Sequence, residues 1–299
     1  MTSDSSAHDW PTEVAAAAVP EAEVVGAVQT AAGATTLPAT ITNAALLAAS
    51  GDDESQWAVP GCTPSREETR LDDISGCMLG DVDSERTIAL IGDSGAAMWH
   101  GAFDLIGQRN GWKVLVLTKN NCGPAAVTYY QYQLERAFTE CDDWQKWRME
   151  VLQKEQPEVV VLAGWYGGNL GPDREVTPEV WRDGLAKTAS QLPTATRVVM
   201  LGNAPHPEEN PSECVALNST DLSRCSMPAA AVLPNQTGWS TAAEAVGGTY
   251  IDVNPWFCTD VCPAVVGDHL VYAGEHHITN EYAEYLSGSI ENHIVTALA

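Results

Sequence analysis

Short aliphatic, β-branched runs alternate with stretches whose apolar positions recur at helical spacing from about residue 87 to the end of the chain. The runs at 87–91, 113–118, 158–162, 197–201 and 249–252 predict strands. The stretches at about 96–109, 142–154, 178–191, 239–246 and 280–297 predict helices. Strands separated by helices make βαβ units, so the pattern predicts a three-layer α/β/α sandwich around a five-stranded parallel sheet of flavodoxin-like order. The preceding residues, 1–60, are rich in Ala, Thr and Pro and break the pattern. They predict helices at about 13–32 and 41–49, and a loop at 50–55 carrying Gly51-Asp52-Asp53-Glu54. Residues 1–60 are expected to form an extension that packs on the main domain, 61–299, or links it to a neighbour.

Charge narrows the partners. Forty acidic against fifteen basic residues give a net charge of −25, which argues against a nucleic-acid partner, because phosphate binding depends on Lys and Arg releasing counterions. Eight cysteines fall into near neighbours, Cys62 with Cys77, Cys122 with Cys141, Cys214 with Cys225 and Cys258 with Cys262. Local disulfides are the expected use, although eight cysteines permit about 105 pairings. A zinc site is the competing reading, disfavoured because no C-x-x-C occurs and His276-His277 has no cysteine at ligand spacing. Disulfides imply an oxidising compartment. No apolar run is long enough to span a membrane, and the start, Met1-Thr2-Ser3-Asp4, lacks the basic and apolar regions of a signal peptide. The expectation is an extracytoplasmic piece of something longer.

Two stretches carry the chemistry. The run 87–91 ends in Gly92-Asp93-Ser94 and leads into a helical stretch. That turn places Ser94 at the carboxyl edge of a parallel sheet, either as a nucleophile or as part of a helix cap. Far downstream, Gly274-Glu275-His276-His277-Ile278-Thr279 leads into the last helix. A serine hydroxyl needs an adjacent base, and His277, on the loop before that helix, can return to the same sheet edge. No glycine-rich nucleotide motif is present, so no cofactor is implied. Of the tryptophans at 144, 147, 165, 181, 239 and 256, only Trp165, at a strand's carboxyl end, is expected to line a site, and the rest to pack the core.

The ordered set Ile91-Gly92-Asp93-Ser94-Gly95, Cys122-Gly123-Pro124, Cys141-x-x-Trp144, the run Val159-Val160-Val161-Leu162, Cys258-x3-Cys262-Pro263 and His277-Ile278-Thr279 resembles the SGNH hydrolase domain. More narrowly, it is similar to the extracytoplasmic C-terminal SGNH domain attached to bacterial acyltransferase-3 type membrane proteins, the O-antigen and glycolipid acetylases. The resemblance implies an acyl group carried on Ser94 and passed to a sugar hydroxyl or to water, with His277 as the base. It also implies an acyl donor, a carbohydrate acceptor and a membrane acyltransferase domain as partners, with neither cofactor nor metal. Gly95 stands where the family usually has His, and Gly274 where it has the triad Asp. Removing that acid from a serine protease costs about four orders of magnitude in rate. Three readings follow: Glu275 or Asp268 supplies the carboxylate, Ser94 and His277 act as a dyad, or the site is degenerate and only binds. Without an evident SGNH asparagine, the oxyanion hole falls to main-chain N–H groups at Ser94 and Gly95 and at the Asn121 turn, beside Trp165.

Overall fold

The structure, a computed structural model, describes residues 17–51, 57–165 and 169–299. Most of the predicted loop at 50–55 and the first residues of the helix predicted from 13 lie outside the described residues.

The central sheet has six strands: β1 (Met78–Gly80), β2 (Thr87–Gly92), β3 (Lys113–Thr118), β4 (Val159–Leu162), β5 (Arg197–Leu201) and β6 (Thr249–Ile251). Their spatial order is β1-β3-β2-β4-β5-β6. All neighbours are parallel except β1, which pairs antiparallel with β3 through Met78↔Leu115 and Gly80↔Lys113. The five predicted strands are therefore joined by a sixth at one edge. Every residue of β2 and of β4 is buried, as expected for strands covered on both faces.

Helices α1 (Glu21–Ala31) and α2 (Asn43–Ser50) precede the sheet. The helix predicted at 96–109 is two: α3 (Ser94–Ala97) and α4 (His100–Asn110), the latter closed by Gly111 in the left-handed conformation at φ 62°. There follow α5 (Thr139–Glu155), α6 (Pro178–Ser190), α7 (Pro211–Leu217) and α8 (Thr237–Val246). The last predicted helix also divides, at Leu286, into α9 (Asn280–Tyr285) and α10 (Ser287–Leu298). Helices α4, α9 and α10 pack together on the sheet, and α6 and α8 form a second pair. Trp144, Trp181, Trp239 and Trp256 are fully buried.

The described residues before 61 pack on the rest of the chain. In α1, Val24 and Val28 are fully buried, Glu21 accepts the Trp256 indole N–H at 2.9 Å, and Val19 lies against Gly288. Helix α2 packs on α7, where Leu46 and Ala49 join Val215 and Leu222 in a smaller core. All eight cysteines are bridged, Cys62–Cys77, Cys122–Cys141, Cys214–Cys225 and Cys258–Cys262.

Candidate active site

The sheet order reverses between β2 and β4, and ligands of such folds bind in the crevice beyond the strand ends at that point. Ser94 follows β2 there and begins α3. Gly92 is required at the turn: its φ is 157°, and a Cβ would run into the Ala163 carbonyl and come within 2.7 Å of Ala96 Cβ. Asp93, 5 % exposed, accepts the N–H of Gly95 at 2.9 Å and that of Trp165 at 3.1 Å. It thus ties the Ser94 turn to the chain leaving β4. Burial pushes the Asp93 carboxyl up to about 7, opposed by those N–H groups and by the fully buried Arg148 guanidinium of α5.

Gly95 is explained by Trp165. A Cβ at 95 would stand 2.9 Å from Trp165 Cδ1 and 3.0 Å from its Nε1, so the indole fills the space a side chain at 95 would take. The Gly95 N–H is bonded to Asp93, which directs that donor away from an oxyanion. On the other side of Ser94, Cys122 N–H bonds the Lys119 carbonyl at 3.0 Å, and the turn holds Asn121 at φ 59°. Both Asn121 and Trp165 line the Ser94 cavity.

His277 arrives on a small antiparallel ladder, Tyr272–Ala273 with His277–Ile278, in which Ala273 faces His277. Gly274 opens the intervening turn at φ 61° and donates its N–H to the Ala49 carbonyl of α2 at 2.8 Å. The buried His277 ring lies flat on the Trp57 indole, with centroids 4.2 Å apart and planes 14° from parallel, and meets Trp165 edge-on at 6.4 Å. Trp165 in turn contacts His206 at 5.1 Å, and His206 Nε2 lies 2.9 Å from His276 Nδ1. Burial, then the neighbouring His276, holds the His206 imidazolium below the usual histidine range.

Ser94 and His277 line one cavity of about 530 Å³ together with Trp57, Asn121, His206 and His276. A second hollow of about 290 Å³ shares Ser94, Asn121 and Trp165 and is walled by Tyr129, Tyr130 and Tyr132. Ser94 therefore stands where two recesses meet. Of the two carboxylates considered as replacements for the triad acid, Glu275 lies 3.9 Å from His276 Nε2, and Asp268 accepts the Thr40 hydroxyl at 3.0 Å. Trp57 and His206 are site residues that sequence reasoning missed. His206 had a readable signal, since it closely follows the carboxyl end of β5. Trp57 lies ahead of every recognisable block and had none.

Among solved structures, the periplasmic domain of a lipopolysaccharide acetyltransferase from Salmonella ser. Paratyphi A shares the fold, with 20% identity and a TM-score of 0.60, over 78% of this chain and 91% of that one. Further matches are a putative acylhydrolase from Bacteroides fragilis, at 11% identity and TM-score 0.40 over 74% of this chain and 91% of that one. A Corynascus thermopiles carbohydrate esterase family 2 enzyme gives 15% and 0.41, over 71% and 66%. No curated protein matches the sequence. The family described as the SGNH domain fused to AT3 domains matches residues 61–292. With most of the chain matched, the protein belongs to that family of SGNH domains.

Proposed function

We propose that this chain is an extracytoplasmic O-acyltransferase or esterase domain working through an acyl-Ser94 intermediate. The observation that carries the reading is the shared cavity of Ser94 and His277 at the reversal point of the sheet. Ser94 Oγ attacks the acyl carbonyl while His277 takes its proton. As the ester or thioester bond breaks, His277 returns that proton to the leaving group, and the acyl group remains on Ser94. An acceptor hydroxyl, or water, then attacks the acyl-serine. His277 removes the acceptor's proton and delivers it to Ser94 Oγ as the product leaves. Main-chain N–H groups at Ser94 and the Asn121 turn serve the oxyanion.

The acceptor is a carbohydrate hydroxyl of a cell-envelope glycan or glycolipid. The tyrosine-walled recess on the far side of Ser94 suits a sugar, because aromatic faces stack on apolar ring surfaces while tyrosine hydroxyls remain available for hydrogen bonds. Residues 1–60 are an extension and 61–299 the SGNH unit, joined in the full-length protein to a membrane acyltransferase domain. Four disulfides suit an oxidising compartment. Hydrolysis of p-nitrophenyl acetate is the test. Ser94→Ala and His277→Ala are each expected to lower kcat by about a thousandfold or more; rates equal to the parent's exclude the acyl-serine.

Gly274 favours a second reading, a degenerate glycan-binding module, because no carboxylate can stem from that position. The Gly274→Asp variant separates the two. A silent parent protein that Gly274→Asp switches on is the binding module; brisk turnover by the parent removes that reading.

A further inference from the structure

We propose that Trp165 is a catalytic residue whose indole N–H joins the oxyanion hole, adding a side-chain donor to the main-chain groups at Ser94 and the Asn121 turn. The proposal rests on the reading of Ser94 as the acyl-bearing nucleophile. Main-chain donors are scarce there, because the Gly95 N–H, one residue past the nucleophile, is already held by Asp93 at 2.9 Å. Trp165 stands beside that gap. Its main-chain N–H bonds both oxygens of the same Asp93 carboxylate, at 3.1 and 3.2 Å, so one buried group fixes the turn and the tryptophan against each other. The ring's orientation selects the atom. Cδ1 and Nε1 are the indole atoms nearest position 95, 2.9 and 3.0 Å from where a Cβ would stand, so the N–H edge of the ring faces the Ser94 turn.

Other contacts hold the ring in place: His206 at 5.1 Å between centroids, and His277 edge-on at 6.4 Å. Among the described residues no acceptor takes the Trp165 indole N–H, unlike those of Trp239 and Trp256, which bond Asn203 and Glu21. Nor is it sealed in the core, since Trp165 lines both recesses that meet at Ser94. A fixed donor with no protein partner beside a nucleophile is available to the charge that develops there, and its rigidity means little reorganisation at the moment of reaction. When Ser94 Oγ bonds the acyl carbon and its proton passes to His277, the carbonyl π pair moves onto oxygen. The indole N–H donates to that oxygen and keeps its own proton. As the pair returns, the bond to the leaving group breaks, and the leaving group takes the proton from His277. The proposal also gives glycine at 95 a catalytic reason, because a side chain there would push the donor edge off the turn.

The test replaces Trp165 by benzothienylalanine, which keeps the shape of tryptophan but has sulfur in place of the N–H, with Trp165→Phe as the encoded counterpart. In p-nitrophenyl acetate hydrolysis both are expected to lower kcat about a hundredfold with KM nearly unchanged, the usual cost of one oxyanion donor. A kcat within about threefold of the parent in the benzothienyl protein overturns the proposal. So does a loss confined to KM, the mark of a ring that only packs against substrate. The second readout needs no turnover. Phenylmethylsulfonyl fluoride sulfonylates an activated serine with loss of fluoride and leaves a sulfonyl oxygen at the oxyanion position. The Trp165 indole N–H resonance, assigned by its loss in Trp165→Phe, should then move downfield. Sulfonyl-Ser94 verified by mass, with that resonance unmoved, overturns the role of Trp165 alone. A Ser94 that resists the reagent, together with a Ser94→Ala rate equal to the parent's, removes the acyl-serine reading and this proposal with it.

Discussion

Asp93 holds the Ser94 turn by accepting two N–H groups, and its cost is set by burial. A carboxyl raised from its ordinary value to about 7 binds a proton more tightly in the folded chain than in the unfolded one. Its contribution is therefore full below about pH 4 and is lost as the pH rises through the window from about 4 to 7, reaching a constant penalty above it. Asn at this position keeps an oxygen to accept from Gly95 and Trp165 but has nothing to ionise. Asp93→Asn is expected to flatten that part of the stability profile by an amount on the order of a few kcal/mol, given that burial is opposed by two N–H donors and Arg148. Urea midpoints measured at intervals between pH 4 and 8 check this; parallel profiles for parent and variant contradict it. At this scale, the Gly92 turn and the meeting of Ser94 and His277 in one cavity were legible, because the turn needs a particular residue type and the pairing was sought at one sheet edge. The reason for Gly95 was not legible, since it lies in Trp165, which a chain of intervening elements brings into contact.

Among the elements, the runs at 113–118 and 197–201 became strands with the expected ends, because uninterrupted β-branched sequence has few alternatives in a buried sheet. Strand β1 was invisible: it is three residues long, half-buried, and exists because β3 offers an edge. The breaks at Met98–Trp99 and Leu286 carry neither Gly nor Pro, and tertiary packing decides them. The disulfides act at this scale too. Cys122–Cys141 joins the turn after β3, which holds Asn121, to the first turn of α5 across a separation of 19, whereas Cys258–Cys262 closes a separation of 4. By chain entropy the longer loop is worth about 3 kcal/mol and the shorter about 2. The paired change Cys122→Ala and Cys141→Ala should therefore destabilise more than Cys258→Ala with Cys262→Ala, and, under the proposed function, it alone should also lower kcat by loosening the turn that holds Asn121 beside Ser94. Denaturant unfolding and steady-state rates on the two variants test the order, and the reverse order in either quantity refutes the assignment.

For the whole molecule, the extension decides how much of the protein the SGNH unit can be by itself. Its pattern read as packing helices or as a tether, and sequence could not choose, because the apolar residues of α1 find their partners on the far end of the chain. Val24 and Val28 are fully buried in the main core, to which Trp57, Ala58 and Val59 also belong. Each such aliphatic side chain contributes about 1.5–3 kcal/mol when removed from water, and natural domains hold only about 5–15 kcal/mol in reserve. A chain beginning at Gly61 loses all of these contacts and uncovers the surfaces of α7, α10 and the Gly274 turn. It is expected to unfold at markedly lower temperature than the full chain or to accumulate in aggregated form. A chain beginning at residue 17 should match the full chain in both thermal midpoint and turnover, since it keeps α1, α2 and the Trp57 stack. Calorimetry and esterase assays on the two truncations decide the matter. Undiminished stability and activity in the chain that starts at Gly61 would mean that neither the packing of α1 nor the Trp57–His277 stack matters to the working domain.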